Sequence, residues 1–584
     1  MKKLFFFTFL IVLFLINSCT ENVVNNISGF NRTLVIISDD TPETELIMGI
    51  LGSVRNTYPD VEIKFFKNKN FDLFEAGYLL EVAANSFPEN TCFAVIVDPG
   101  VSAKKTVYSF GKRKVLSPDN GISTKMRIAM PPQEMHYVDN MSIFGSQFNN
   151  YEEVPYQKFY RDAILHMLSD ANISTFGSVC SEPVNLNIVQ PSLQNGVIQG
   201  QILFTDNFGN CETNIKSDFI NQLNRGDILE VSSDDIKFYA KYGLNYSSVD
   251  VNENVVFFNS KSRLEISVNF GNMSERYSLN AGNVVNIKKA DLKVGILRFN
   301  SSELVNNIIT GAKSELAAKG FIENKNIEYF EKNAEGDISK FPSLIGELLS
   351  AGIDIIIPVS TPASQAALQF VPENIPVVYT YVTSPEFAGL INKRSNVTGL
   401  SDATNFDDYL KFAKELLPNM KTAGRIFNPG EPNSAFSQNQ FLALGNFYGI
   451  NYINESINSV EQISEAYQRI ESQNPDAILI AADNTLNLGF KSLAEMAAAS
   501  KIPLIGDSEE NSDDGALASI SVDYGLLSKT TGKIVGSVIL GMPADSKPIQ
   551  RFPTSSITLN QITAGKIGFT FSSSIINSAS KIIQ

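Results

Sequence analysis

From Leu292 the chain starts a strand-and-helix alternation for the second time, after an interval in which that rhythm stops. One hydrophobic core does not accommodate two such series, so the chain is modular. The first series reads TLVIIS, ETELIMGILGSVRNTY, VEIKFF, AGYLLEVAANSF and CFAVIVD, beginning at Thr33. Apolar strands alternating with amphipathic segments predict a parallel sheet with helices on both faces. After about Pro191 the segments become VIQGQILFTD, DILEVS, ENVVFFNSKSRLEISVNF and NVVNIKK, with Gly and Asn at the breaks, which predicts a small all-β unit. The second series runs LKVGILRF, NIEYFEKN and IDIIIPVS, then TAGRIFNP, INYINESI, AILIAAD and IPLIGDS, with helices between. Two similar α/β lobes in tandem predict a cleft between them, the usual place for a small ligand. At 584 residues the chain has room for roughly three to five compact units. The join near Ala290 has no long Pro/Gly/Ser linker and is expected to be short and stiff.

The chain opens MKKLFFFTFLIVLFLINSCT: two lysines, an apolar run from Leu4 to Ile16, then small and polar residues. That order reads as a signal peptide over residues 1–19 rather than a membrane span. Ile16, Asn17, Ser18 and Cys19 resemble a bacterial lipobox, which implies lipidation of Cys19 and an extracytoplasmic, membrane-anchored protein. Residues 20–32, rich in Asn and Ser, then read as a tether. A formal charge of -15 without a long basic run argues against nucleic acid or an anionic surface as partner. Cys92, Cys180 and Cys211 give neither a disulfide framework nor metal-ligand spacing. With His136 and His166 the only histidines, no metal site and no cofactor are expected.

VDPGV at 97–101, SPDNGIST at 117–124, TDNFGNCETNI at 205–215 and the run from Asn259 to Lys289 resemble the S-adenosylmethionine hydroxide adenosyltransferases, relatives of the fluorinating and chlorinating enzymes. The resemblance covers about residues 33–290 and implies an α/β domain over 33–190, a β-barrel domain over 191–290, and assembly as a homotrimer. It also implies a water or hydroxide activated by an Asp, an Arg and a His. Here the Asp matches Asp98, and the Arg position falls at Lys105, which keeps the charge but loses the planar fork. In KFYRD, residues 158–162, Phe159 or Tyr160 stands where the family has its His, so a polarising imidazole is absent. The resemblance assigns nucleoside contacts to Asp39, Asn120, Asp206 and Asn210, although Asn-Gly and Gly-Asn pairs also form turns without any ligand. Thr41 replaces a family glycine. This half is therefore expected to be a degenerate hydrolase domain; the alternative is an active S-adenosylmethionine or nucleoside hydrolase with the second half as its sensor.

IIPVSTPASQAAL, IPVVYTYVTSPEFAGL, SNVTGLSD, RIFNPGEPNSAFS, ILIAADNTLNLGF and IPLIGDSEENSDDGALASISVDYG, all within 291–584, resemble the substrate-binding proteins of ABC transporters of the tryptophan/tyrosine type. An amino acid needs hydroxyls or helix N-terminal amides for its carboxylate, a carboxylate for its ammonium and an apolar wall for its side chain. Ser360 and Thr361, where a strand ends and a helix begins ahead of Pro362, predict an anion seat. Thr383, Asn428, Asn433, Ser434 and Asn484 are the further polar candidates, Asp483 and Asp523 the candidate ammonium ligands, and Phe299, Tyr381 or Tyr524 the candidate wall. The fold expectation is α/β: an N-terminal α/β domain plus a small β-barrel, then a two-lobed periplasmic-binding-protein-like α/β domain. The functional expectation is a lipid-anchored receptor that captures an amino acid, aromatic by resemblance, and passes it to an ABC permease.

Overall fold

The computed structural model describes residues 32–97, 104–391 and 393–584. The predicted signal peptide, Cys19 and Asp98 lie outside the described residues. The first sheet has the order Glu62–Lys67, Thr33–Ser38, Cys92–Ile96, Arg113–Pro118, Lys105–Phe110, Glu134–Tyr137. The first four strands are parallel, but Lys105–Phe110 runs antiparallel to both its neighbours, so the all-parallel expectation holds only for part of the sheet. The cause is a two-residue turn: Gly111, at φ +62°, and Lys112 return the chain directly into the next strand. Alternate strand residues feed two cores. Leu34, Ile36, Ala94 and Leu116 pack under the helices Glu45–Thr57 and Tyr156–Leu168, and Val35, Val95 and Val115 under Leu73–Ser86 and Thr124–Ala129.

The all-β interval closes into a seven-stranded barrel. Its order is Val197–Thr205, Cys211–Lys216, Arg263–Val268, Asn254–Phe258, Ile236–Tyr242, Ile228–Ser233 and Val284–Lys289, which pairs back onto the first. Closure removes the sheet edges that an open sheet would expose. The Leu73–Ser86 helix is tied to the barrel through Glu212, which is buried and takes Tyr78 Oη at 3.2 Å, Lys261 Nζ at 2.9 Å and Arg263 at 2.9 Å.

Only Ala290 and Asp291 separate the last barrel strand from Leu292–Arg298, and the Ala290 amide donates to the Ile228 carbonyl at 2.9 Å. Ile228, Tyr239 and Ala290 share one apolar cluster with Leu292, Val294 and Leu316. Tyr239 Oη and Lys237 Nζ both reach Asp354 Oδ1, at 2.9 and 2.7 Å, and Lys319 pairs with Glu253 at 2.6 Å. These contacts weld the barrel to the second half, the stiff connection that the sequence predicts.

The second half is two parallel-type sheets. One has the order Ile327–Asn333, Leu292–Arg298, Ile355–Val359, Val377–Val382, Val397–Ser401, Gln550–Arg551; the other begins Asn451–Ser456, Thr422–Phe427, Ala477–Leu479, Leu504–Gly506, Ala518–Val522 and ends in Thr554–Asn560 and Lys581–Ile583. The chain crosses between them at 402–405, at Asp523 and at 552–553. The helix Tyr524–Ile539 comes after a strand of the second sheet yet packs with Glu303–Lys319 in the core of the first. Among the described residues no helix is long and apolar enough to cross a membrane.

Candidate functional site

Strand ends from both lobes meet at one narrow cavity of about 20 Å³, lined from the first lobe and its crossings by Thr361, Tyr381, Thr383, Asp402 and Tyr524. The second lobe adds Asn433, Asp483, Asn484, Asp507 and Ser508. Of the residues expected from sequence, Thr361, Thr383, Asn433, Asp483 and Asn484 therefore share a cavity, with Tyr381 and Tyr524 as wall. Those two rings meet edge to face at 5.8 Å. Phe299 is instead a core residue packed on Phe341.

Ser360 ends its strand at φ +94° and ψ 160°, a region that essentially only glycine occupies without strain. Its Oγ is buried, makes no hydrogen bond, and leaves the adjoining helix without a side-chain cap. The geometry thus separates Ser360 from the ordinary capping role that a serine takes at this position.

The two acids nominated as ammonium ligands are occupied or misplaced. Asp483 Oδ2 accepts from the Asn428 amide at 2.7 Å and Ser434 Oγ at 2.6 Å, while Oδ1 caps the next helix through the Leu486 amide at 2.9 Å. Those bonds also explain Asn428 and Ser434, which hold the loop and do not line the cavity. Asp523 is exposed, caps Tyr524–Ile539 through the Leu526 amide, and does not line the cavity either.

Two further acids line the cavity: Asp402, on the first crossing, and Asp507, at the end of Leu504–Gly506. Burial pushes Asp402 up to about 7, Asp507 beside it pushes the same way, and the Thr383 hydroxyl opposes both. Burial likewise drives Asp507 up to about 7 against the Ala482 amide and the Thr404 hydroxyl. Asp402 Oδ1 has no hydrogen-bond partner. Both acids stand where strands end in GLSD and IGDS, the same signal that nominates Asp483 in AADN. Sequence alone does not say which of three strand-end acids is spent as a cap.

A further carboxylate, Glu431 of NPGEPNS, closes the N-terminus of the Asn484–Ala499 helix. It accepts from the Asn484 amide at 2.8 Å and Nδ2 at 2.7 Å, and from the Thr485 amide at 2.9 Å and Oγ1 at 2.6 Å. Charge-assisted bonds to free helix amides make this the best-filled anion seat of the second lobe.

In the first half, Lys105 is buried and lines a cavity of about 530 Å³ with Tyr151, Glu152, Glu153, Tyr156 and Phe159. Neither histidine lines it: His136 Nδ1 is bonded to the Gly177 carbonyl and His166 Nε2 to Thr175 Oγ1. Phe159 and Tyr160 are both buried in the helix that carries KFYRD. Asp206 Oδ1 accepts the Phe208 and Asn210 amides at 2.9 Å, and its Oδ2 takes Asn210 Nδ2 at 2.9 Å, so these two expected nucleoside contacts bond each other. Gly209 closes that loop at φ +83°, where a β-carbon would collide with Asn272. Asn120 Nδ2 donates to the Val97 carbonyl at 3.0 Å, and Asp39 accepts the Phe71 amide at 3.1 Å. Among the described residues no cluster of His, Cys, Asp and Glu is placed to hold a metal.

A welded α/β-plus-barrel unit ahead of two lobes around a cleft defines a solute-binding protein with an added N-terminal module. Residues 293–583 match the family of ABC transporter substrate binding proteins, residues 47–177 the SAM hydroxide adenosyltransferase N-terminal domain and residues 200–286 the C-terminal domain of that family. The matches place SAM hydroxide adenosyltransferase domains ahead of an ABC transporter substrate-binding domain. It is 27% identical over 284 residues to a tyrosine-binding protein of Clostridioides difficile strain R20291, across 47% of this chain and 82% of the relative. An ABC domain from Streptococcus pneumonia, solved in complex with L-Trp, aligns at 28% identity with a TM-score of 0.48, covering 50% of this chain and all of that one.

Proposed function

We propose that the chain is the extracytoplasmic receptor of an ABC importer, that its solute is an amino acid with an aromatic side chain, and that Cys19 carries a lipid anchor. The observation that carries the reading is the cavity where hydroxyls and amides of both lobes meet Asp402, Asp507 and the Tyr381–Tyr524 wall. Thr361, Thr383 and Asn433 suit a carboxylate, the acids an ammonium, and the two rings an aromatic side chain. The tyrosine-binding relative points to the same class. In this reading Asp483, Asn428 and Ser434 shape the cavity wall, and Asp523 starts the helix that returns to the first lobe.

The chain contains no tryptophan, so indole emission in a titration with L-tryptophan reports the ligand alone. The test is that titration on residues 20–584, with calorimetry for L-tyrosine. Saturable binding of either, with a rise in Tm, supports the reading; silence from both and from a panel of the other amino acids overturns it.

The adenosyltransferase half is proposed to bind or assemble rather than to catalyse, because Lys105 stands for the arginine and no imidazole reaches its cavity. The second reading, an active hydrolase, draws on the cavity beside Lys105. It requires adenosine release from S-adenosylmethionine that Asp98→Ala abolishes. Trimer formation through this half is read out by light scattering.

A further inference from the structure

The cleft has a lopsided charge inventory. Among the described residues lining it are three carboxylates and two tyrosines, with no lysine or arginine. Asp483 is saturated by the protein's own donors. Asp402 and Asp507 are 6% and 8% exposed, and Asp402 Oδ1 is buried without a partner. Arg425 is the cation nearest in effect to Asp507, but its guanidinium lies 3.5 Å from the centre of the Phe441 ring in the second lobe and does not line the cavity. Two desolvated carboxylates with no cation between them are costly to bury, and an incoming cation relieves that cost.

The anion side of the cleft is the reverse. The helix N-terminus of the second lobe that faces the cavity is already filled by Glu431, through four donors from Asn484 and Thr485 at 2.6–2.9 Å. A solute carboxylate meets there an amide set that is spent and a negative charge that repels it. What remains for it is neutral: the Thr361 and Thr383 hydroxyls and the uncapped start of the Thr361–Phe370 helix.

Resting on the reading of the cleft as an amino-acid site, we propose that it recognises its solute by an ammonium group seated between Asp402 and Asp507, and that the solute carboxylate is dispensable. The class of ligand is then a primary aromatic amine, of which an aromatic amino acid is one case. Tyr381 and Tyr524 complete the seat, since an aromatic face attracts a cation as well as an apolar ring.

The experiment compares three phenols that differ in which charged groups they carry: L-tyrosine, tyramine and 3-(4-hydroxyphenyl)propanoate, titrated calorimetrically into residues 20–584 and into Asp402→Asn. The expected result is Kd values for tyrosine and tyramine within about fivefold of each other and propanoate weaker by about 100-fold or more, with Asp402→Asn weakening both amines by about tenfold or more. Tyrosine binding without tyramine binding, or equal binding of propanoate, overturns the inference and leaves the receptor reading intact. Tyramine binding without tyrosine binding supports it and overturns the amino-acid reading; silence from all three overturns both. A ligand-free measurement guards against misfolding: Asp402→Asn and, separately, Asp507→Asn are expected to raise the Tm of the empty protein, because each removes an unopposed buried charge. A fall in Tm for both variants overturns the acid pair itself.

Discussion

The barrel loop and the cleft hold the same kinds of residue, Asp and Asn at the ends of strands, and spend them differently. In the barrel loop, Asp206 and Asn210 consume each other's hydrogen bonds, and Asn120 spends its amide on the Val97 carbonyl. In the cleft, Asp402 Oδ1 is buried with nothing to bond. Buried polar groups are nearly always paired, so leftover capacity on a cavity wall is where a ligand can complete the structure. Polar residue type alone marks only a turn.

The comparison breaks most visibly at Glu431. Removing it in Glu431→Ala strips the charge from four donors and is expected to cost about 3 kcal/mol of stability, read from urea melts. Little change would mean that the seat is not filled in solution. Next, Asp206→Ala should cost about 2 kcal/mol by opening the 206–210 loop, while solute affinity in the cleft stays unchanged; altered affinity would mean that the halves are coupled. Ser360→Gly relieves the strained backbone and should stabilise the empty protein by about 1 kcal/mol, seen as a higher urea midpoint.

A further effect is one of pH. Asp402 and Asp507 titrate near about 7 when folded, against 3.8 for an ordinary Asp, so their folded values are raised. A raised acid costs stability above its folded value, and the cost disappears as pH falls through the folded value toward the unfolded one. From these groups the empty protein gains stability between pH 8 and pH 5, by a few kcal/mol at most, since one unit is worth about 1.4 kcal/mol. Asp483, raised to about 6 by burial and by Glu431, and Glu510, raised by burial, act in the same direction, while Arg425 opposes the shift at Asp507. Tyr381 and Tyr524, raised well above 10.0 by burial, stay neutral throughout, and Lys125, lowered to about 8 by burial, acts above this window. An ammonium ligand needs both acids ionised, so the Tm rise it causes should be larger at pH 8 than at pH 5. Parallel trends for empty and loaded protein would contradict the acid pair.

Strand runs such as TLVIIS and LKVGILRF announce their elements because an apolar run of that length has few places to go, and the structure ends both within one residue of those segments. The hairpin at Gly111 is less legible, since a two-residue turn inside an apolar stretch leaves little periodic signal. Half of the candidate cleft is likewise visible, because Thr361, Thr383, Asn433 and Asn484 stand at strand-to-helix turns that a tandem α/β pattern points inward.

What the sequence determines by itself is the list of modules, their order, the stiff join at Ala290 and the strand ends that converge on a cleft. Local pattern suffices there, because period and turn chemistry act between near neighbours in the chain. Which acid is free is decided only by tertiary structure. Asp483 is silenced by Asn428 and Ser434, some fifty positions away, and the Asn484 helix is filled by Glu431 at similar range. Asp402 meets Asp507 only because two lobes fold against one cavity. Hydrogen-bond capacity is a balance struck across the whole molecule, and it is known only when every partner is in place.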